Sequence, residues 1–579
     1  MGAPDASSTK SLVTFGINAG GSDLPKSYNV LSITVHKEVN RIAYAVIVLS
    51  DGNAAKADFE ISKSDSLKPG NDITISAAHG TGSDLIFKGM IVKHSIKIRK
   101  KSSVLIIECR DKAAKMTTVN YSKYNKDVKD SDIMQDLLGK YSLDATVDAT
   151  SVQHKELIQY NATDWDFMLC RADANAMLCF NEDGQVKLAK PVFSGKSVLT
   201  ATFGDNIIEF DAEVDNRLQP KGVKATSWDY TQQALVDGVD AADPSVKSPG
   251  NFDATELAGE VASDELQLSH SGPIAQDELQ SWADSKLMRH RLAKVRGRVT
   301  IDGTSDVKLG SIFSLAGVGD RFNGDAYITG IRHTVVDGIW LTAIQFGIQP
   351  DWFANNFELR TNDAASMLPA IHGLHIGIVT KLESDPDGDD RIQVRVPVIH
   401  NDDDGVWSRI ATLDAGKQRG TFFRPEIKDE VIVGFINNDP RYSVVLGMLN
   451  SSAKPAPLTA SDKNNEKGYV SRSGIKMIFN DDKKNLLIQT PGGNKVFIDD
   501  DQKQIAMEDI TGNKVTMNKD GITLESKKDL ILKATGDVKM DGVNITIKAS
   551  AQLKAQGQAG GEVSSSANMV VKGAIVQIN

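Results

Sequence analysis

The last hundred residues carry the most regular pattern of apolar and polar positions in the chain. Lys476, Lys495 and Lys514 stand nineteen residues apart. Around them lie three aligned segments, Gly474-Ile-Lys-Met-Ile-Phe, Gly493-Asn-Lys-Val-Phe-Ile and Gly512-Asn-Lys-Val-Thr-Met. Each leads into an acidic or mixed turn, and the first two continue into a second apolar strand at Leu486 to Ile488 and Ile505 to Met507. From Asp520 the period tightens to about eight. Ile522/Leu524, Leu530/Leu532, Val538/Met540 and Ile545/Ile547 are alternating apolar pairs, punctuated by Gly521, Gly536, Gly542 and a series of aspartates. Alternation puts one face in a core and one in water, and the spacing leaves room for strands of four or five residues with tight turns. A short fixed period means units that cannot bury a face alone. A single thin ladder would have a meagre core and open edges. The pattern therefore predicts several chains wound together, three being the usual number for so narrow a prism. Those eight residues, Ile522 to Ile547, form its core. A single-chain β-solenoid is the alternative, and the strict alternation argues against disorder.

Upstream the pattern changes four times. Residues 1–120 read as five strands with Gly, Asn and Asp turns, among them Tyr28 to Val35, Ile42 to Leu49 and Val104 to Cys109, which favours a barrel or sandwich. Lys97 to Lys101 reads as a solvated hairpin tip. Residues 121–220 are mixed α/β: a helix from Ser131 to Gly139 with a Ser N-cap and a Gly stop, a capping box at Thr163-Asp-Trp-Asp166, and a hairpin at Asn181 to Gly184. Residues 221–294 begin poor in apolar side chains, as an insertion or surface arm, and end in a helix from about Asp277. Strands return over 295–365. Residues 371–450 hold five strands in about 80 residues, the count of an oligonucleotide/oligosaccharide-binding (OB) barrel. A polar linker, 451–468, leads to the repeating segment, 469–579. The fold class expected is mainly β.

At 579 residues, with 40% hydrophobic and 25% charged residues, each part has sequence enough for a core. No run approaches a membrane span, and Met1-Gly-Ala-Pro-Asp-Ala-Ser lacks the basic and apolar regions of a secretory signal, so synthesis in the cytoplasm is expected. Cys109, Cys170 and Cys179 have no metal-ligand spacing and read as reduced packing residues. The net charge of -10 argues against nucleic acid as a partner.

Candidate chemistry fails on inspection. Asp385-Pro-Asp-Gly-Asp-Asp390 resembles a calcium loop, but its twelfth position is Val396, so a hairpin turn is the better reading. His372 and His375 lack the glutamate of a zinc-protease motif, and Phe193-Ser-Gly-Lys-Ser197 lacks the first glycine of a phosphate loop. Gly317-Val-Gly-Asp-Arg-Phe-Asn-Gly324 opens no helix, so it is a turn rather than an anion cradle. The tail has no His, Cys, Trp or Tyr after Tyr469. No catalytic residue, metal ligand or cofactor is expected.

Specific segments then carry a resemblance. Val379-Thr-Lys-Leu-Glu-Ser-Asp-Pro-Asp-Gly388, Arg391-Ile-Gln-Val-Arg-Val-Pro397, Trp407-Ser-Arg409, Pro425-Glu-Ile-Lys-Asp-Glu-Val431 and Asn438-Asp-Pro-Arg-Tyr-Ser-Val-Val-Leu-Gly447 resemble the VgrG/baseplate-spike family of contractile injection systems. Glu156 to Phe167, Gly317 to Gly330 and Trp340 to Phe346 are similar to hub segments of the same family. The resemblance implies two hub β-barrels with an α/β region between them, an OB collar and an intertwined trimeric β-helix. It implies a homotrimer that adapts the hexameric ring of an inner tube protein to a three-fold, membrane-puncturing needle. Other baseplate proteins, a PAAR-type tip protein and the target cell envelope are the further partners implied. The tip protein would meet the last strand edges, at Ala574, Val576, Ile578 and Asn579. Assembly into a baseplate, delivered from the cell or carried on an extracellular particle, follows. Where relatives insert a lysozyme, only linker 451–468 stands. The pattern also runs unbroken to Val576-Gln-Ile-Asn579, so no fused effector is expected. The competing functions are a wall-hydrolysing spike and a glycan-binding tailspike, the latter poorly served by Phe497 as the one aromatic after Phe479.

Overall fold

A computed structural model describes residues 12–236, 238–261, 264–357, 359 and 362–578. The N-terminal segment read above as lacking a signal, and Asn579, lie outside the described residues. The chain divides into two compact units, 1–372 with 437–440, and 373–436 with 441–579.

The first unit is built on one thirteen-stranded sheet. Strands Val13–Ala19, Val30–Glu38, Tyr44–Ser50, Asp72–His79, Asp84–Ile98 and Ser103–Arg110 form one part of it, wrapped round a core of Ile33, Val35, Ala45, Ile47, Leu49, Ile73, Ile75, Leu105, Ile107 and Cys109. Alternate side chains of Val30–Glu38, Tyr44–Ser50 and Ser103–Arg110 face this core, while on Asp84–Ile98 a register shift brings both Ile86 and Phe87 into it. Strands Ile207–Val214, Val295–Asp302, Ile312–Ala316, Gly324–Val336 and Ile339–Phe346 enclose a second core around Val299, Phe313, Ile328, Ile344 and Phe346. The two sets are not separate sheets. The thirteen-residue strand Gly324–Val336 pairs with Val30–Glu38, from Gly330 opposite Glu38 to Val336 opposite Ser32. Its Ile328 and Ile331 serve the second core, and its Val335 serves the first. The Lys97 to Lys101 cluster sits where Asp84–Ile98 turns into Ser103–Arg110, its side chains exposed.

Helices Asp130–Lys140 and Asp164–Ala174 pack on a small sheet of Asp144–Val147, Leu178–Glu182 and Gln185–Ala189. Thr163 caps the second helix as expected, its Oγ1 accepting from the Asp166 N–H at 3.1 Å. The first helix departs from its predicted start. It begins at Asp130, with Lys129 at the N-cap, and Ser131 lies inside it. Thr150 does the capping from outside, accepting from the Ser131 N–H at 3.1 Å. Asp130 is committed elsewhere: it takes two hydrogen bonds from Arg171, at 2.6 and 2.9 Å. Arg171 also reaches Glu278 at 2.9 Å, so one guanidinium ties both helices to the long helix Gln276–Leu292. Arg289 on that helix pairs with buried Asp173, which also accepts from the Phe353 N–H at 2.7 Å. Charges this deep persist only when paired in this way.

The region read as a surface arm is folded. Val223–Asp229 pairs with Val239–Asp240 and Leu266–His270 over a core of Val223, Ala225, Val239, Leu279, Ala283 and Leu287. Three of those six come from helix Gln276–Leu292, so the segment itself needs few apolar residues. The three cysteines are free, and burial pushes the Cys109 thiol up to about 12 and that of Cys170 to about 11.

In the second unit, His375–Lys381, Ile392–Arg395, Val406–Ile410, Ser443–Met448 and Glu430–Phe435 close into a five-stranded barrel filled by six buried β-branched residues, from Val379 to Val445. The Asp385 to Asp390 segment is a turn. Asp385 accepts from the N–H groups of Asp387, Asp389 and Arg391, and the Arg391 guanidinium holds its carboxyl well below the usual range. Among the described residues no cluster of His, Cys, Asp or Glu is arranged to hold a metal, and no helix is long and apolar enough to cross a membrane.

His333 lies on the strand shared by the two cores of the first unit, against Trp340 and Thr342. Desolvation first, then Lys37 and Lys308, push its pKa down to about 3. Its folded-state pKa is therefore below the value of ~6.5 expected when unfolded, and the unfolded chain takes the proton first as pH falls. The stability it contributes is full above pH ~6.5 and declines below, by up to about 1.4 kcal/mol per pH unit. Thermal unfolding of the full chain followed from pH 7 to 4.5 is expected to show a shallower decline for His333→Gln than for the unaltered protein.

An apolar assembly face on the tail

The tail begins as seven strands, Glu466–Val470, Lys476–Asn480, Asn485–Gln489, Lys495–Asp499, Gln504–Glu508, Lys514–Asn518 and Gly521–Glu525, paired antiparallel in chain order. The nineteen-residue repeat is two strands and two turns. One kind of turn is built the same way three times. Gly474, Gly493 and Gly512 sit at φ of 85°, 105° and 89°. Each donates its N–H to the carbonyl three residues back, of Ser471, Thr490 and Asp509. That left-handed backbone is why glycine recurs there. At the third turn, hydrogen bonds from the Thr511 and Asn513 side chains hold the Asp509 carboxyl down to about 2.

Register then sorts the side chains. Met477, Ile488, Val496, Met507, Val515 and Leu524 stand opposite one another in one column. Phe479, Leu486, Ile498, Ile505, Met517 and Ile522 make the next. Both columns lie on the same face, which is apolar at all twelve positions. The opposite face carries a middle column running from Ile478 through Leu487, Phe497 and Ala506 to Thr516 and Thr523, flanked by polar columns. The periodic lysines fall in one of these, with Gln489, Glu508 and Glu525 between them, and Lys495 meets Glu508 at 3.0 Å. Such cross-strand pairs support a water-facing side.

The apolar face is uncovered. Phe479 is 45% exposed, Met507 48%, Leu524 54% and Ile522 72%. Side chains of this size gain roughly 1 kcal/mol each when the remaining half of their surface leaves water. Twelve in one contiguous strip mark a contact surface, since lone monomers rarely leave so large a patch wet.

Beyond Glu525 the single chain forms no strand among its described residues, and every residue from 527 to 578 is exposed. Of the residues predicted as spike core, Ile522 and Leu524 end the two columns. Leu530, Leu532, Val538, Met540, Ile545 and Ile547 are 55% to 66% exposed, and the tight turns expected to join their strands do not form within one chain. A period of about eight gives no room for a second strand to fold back and pair. Ala574, Val576 and Ile578 are likewise exposed. The other ten members of the face, Met477 to Met517, come from the apolar strands of the nineteen-residue repeat, and the register places them together.

Comparison with known proteins bears on each segment. The family model described as Alg8 N-terminal domain matches residues 9–337. The type VI secretion system/phage-baseplate injector OB domain matches 375–449, and the phage baseplate V C-terminal trimerisation domain matches 485–579. Solved structures with similar folds include a tail protein from Neisseria meningitidis MC58, at 14% identity, 59% of this chain, 98% of that one and a TM-score of 0.44. The 43 kDa tail protein of prophage MuSo2 from Shewanella oneidensis gives 12%, 58%, 98% and 0.45. The E. coli c3393 protein, a component of the type VI secretion system, gives 10%, 75%, 99% and 0.38. These likenesses are too distant to add to the assignment, which rests on the family models.

Aspartate at Met507, or at Leu532 beyond the sheet, is expected to lower the molar mass of the full chain in solution, because an unpaired buried charge costs several kcal/mol in every copy. Thr523→Lys, on the opposite face, is expected to leave the mass unchanged. Light scattering reads both.

With a matched model over more than half its length, the chain belongs to the family of the Alg8 N-terminal domain, and it carries after that a type VI secretion/phage-baseplate injector OB domain and a phage baseplate V C-terminal trimerisation domain.

Proposed function

We propose that three copies of this chain form the hub and needle of an injection baseplate. The observation that carries this reading is the twelve-residue apolar face, continuous with a segment that cannot pair with itself. Three such faces turned inward make a prism whose hydrogen-bonded strands run across its length. Stiffness from stacked strands suits a part that concentrates the force of sheath contraction on a narrow point. The two cores of the first unit support an adaptor role, since three chains supply six similar β modules to a hexameric tube ring. A PAAR-type tip protein takes the far end of the prism, at Ala574, Val576, Ile578 and Asn579, by adding strands to open edges. Other baseplate proteins surround the hub, and the target envelope is what the needle pierces. The role is mechanical, without a catalytic step, a cofactor or nucleic acid, and it is exercised outside the cell that makes the protein.

Val576→Asp with Ile578→Asp is expected to abolish capture of the tip protein in a pull-down while the molar mass stays that of the unaltered chain. Capture at the original level would contradict the tip assignment, and clearing of purified peptidoglycan by the chain would contradict the mechanical reading.

A further inference from the structure

Between barrel strands Val406–Ile410 and Glu430–Phe435 the chain leaves the OB barrel. It makes a small arm, in which Ala415–Gly416 pairs with Arg419–Gly420. Arg419 closes on both carboxylate oxygens of Asp414, at 2.7 and 3.0 Å, and Thr412 Oγ1 donates to the Thr421 carbonyl at 2.8 Å. A hairpin with two-residue strands is marginal in water on its own. This one also holds Leu413 at 95% exposure and Phe422 at 87%. The next residue, Phe423, lies against Tyr469 with ring centroids 4.7 Å apart, and Tyr469 pairs with Met477 at the head of an apolar column. The arm is thus continuous with the tail's assembly face.

The same barrel carries a second apolar patch on its outer wall. Leu374, Ile376, Leu446 and Met448 are exposed there. Leu374 and Leu446 flank Gly434 so closely that a Cβ on it would lie 3.3 and 3.5 Å from them. The two leucine side chains close over the glycine and make a small apolar platform on the wall. A closed ring of three copies needs heterologous contacts, in which one patch of a chain meets a different patch of the next. Two unlike apolar patches on one barrel, one on a projecting arm and one on the wall, meet that requirement, and the arm's Asp414 and Arg419 satisfy each other within it.

We infer that Leu413 and Phe422 of each chain seat on the Leu374 and Leu446 patch of the next copy, closing the three OB barrels into a ring. This rests on the trimer proposed above and adds a second, independent lock to it.

The test uses the full chain carrying Leu413→Cys and Leu446→Cys, treated with a short bismaleimide. Light scattering is run on the same sample. Covalent dimers and trimers are expected from the double variant and not from either single variant or the unaltered chain, whose own cysteines serve as background. A trimer by mass that yields no more cross-linked product than the single variants overturns the arm contact alone. A monomer by mass overturns the trimer, and the arm contact with it. Phe422→Asp, a change at an exposed position, is expected to lower the temperature at which the trimer dissociates. An unshifted temperature also counts against the contact.

Discussion

A β-sheet with one wholly apolar face must cover that face, and the tail of this chain has nothing of its own with which to do so. Everything distinctive about the second unit follows from this. The strands are five residues long, just enough to present two apolar side chains inward, and the turns repeat because every rung must have the same width. On the other face Lys495 and Glu508 pair across strands, and Ala506 and Asp499 are buried, so the two faces are built differently. Where the period shortens, the demand for partners rises: among the described residues the segment after Glu525 has apolar pairs but no strand partner in its own chain.

The first unit solves a different problem. It holds two β cores in one chain and keeps them in register with each other. The shared strand Gly324–Val336 does this through backbone pairing, and the buried pairs of Asp130 with Arg171 and Asp173 with Arg289 tie the helical layer together. Ionic contacts of this kind contribute less to net stability than apolar packing of the same volume, but breaking one leaves a buried charge unpaired. They therefore specify one arrangement of the helices.

Much of this was legible in the amino-acid sequence, and the failures have physical causes. Alternation placed the OB strands and the nineteen-residue repeat, because each barrel or prism strand has one dry side. The Asp385 turn was separable from a calcium loop by the apolar residue at its twelfth position. Pattern alone could not assign the cap at Ser131, because Thr150, nineteen residues on, supplies the oxygen. The folded insertion between Val223 and His270 was misread as an arm because half its core comes from a helix that follows it. The two strand sets of the first unit were expected apart because the register between Gly330 and Glu38 joins residues almost three hundred positions distant. On the tail, the period-eight core positions and the apolar strands of the nineteen-residue repeat were picked out, but only register reveals that Met477 and Leu524 share a face.

The central claim is that one chain is an incomplete object. Its most direct test is the molar mass in solution of the full chain beside a chain ending at Asn464, before the first tail strand. The account predicts three times 62.6 kDa for the full chain, and a mass that falls or becomes concentration-dependent when the tail is removed. A full chain that stays at 62.6 kDa across the concentration range would contradict it, because the apolar face would then have to be stable in water.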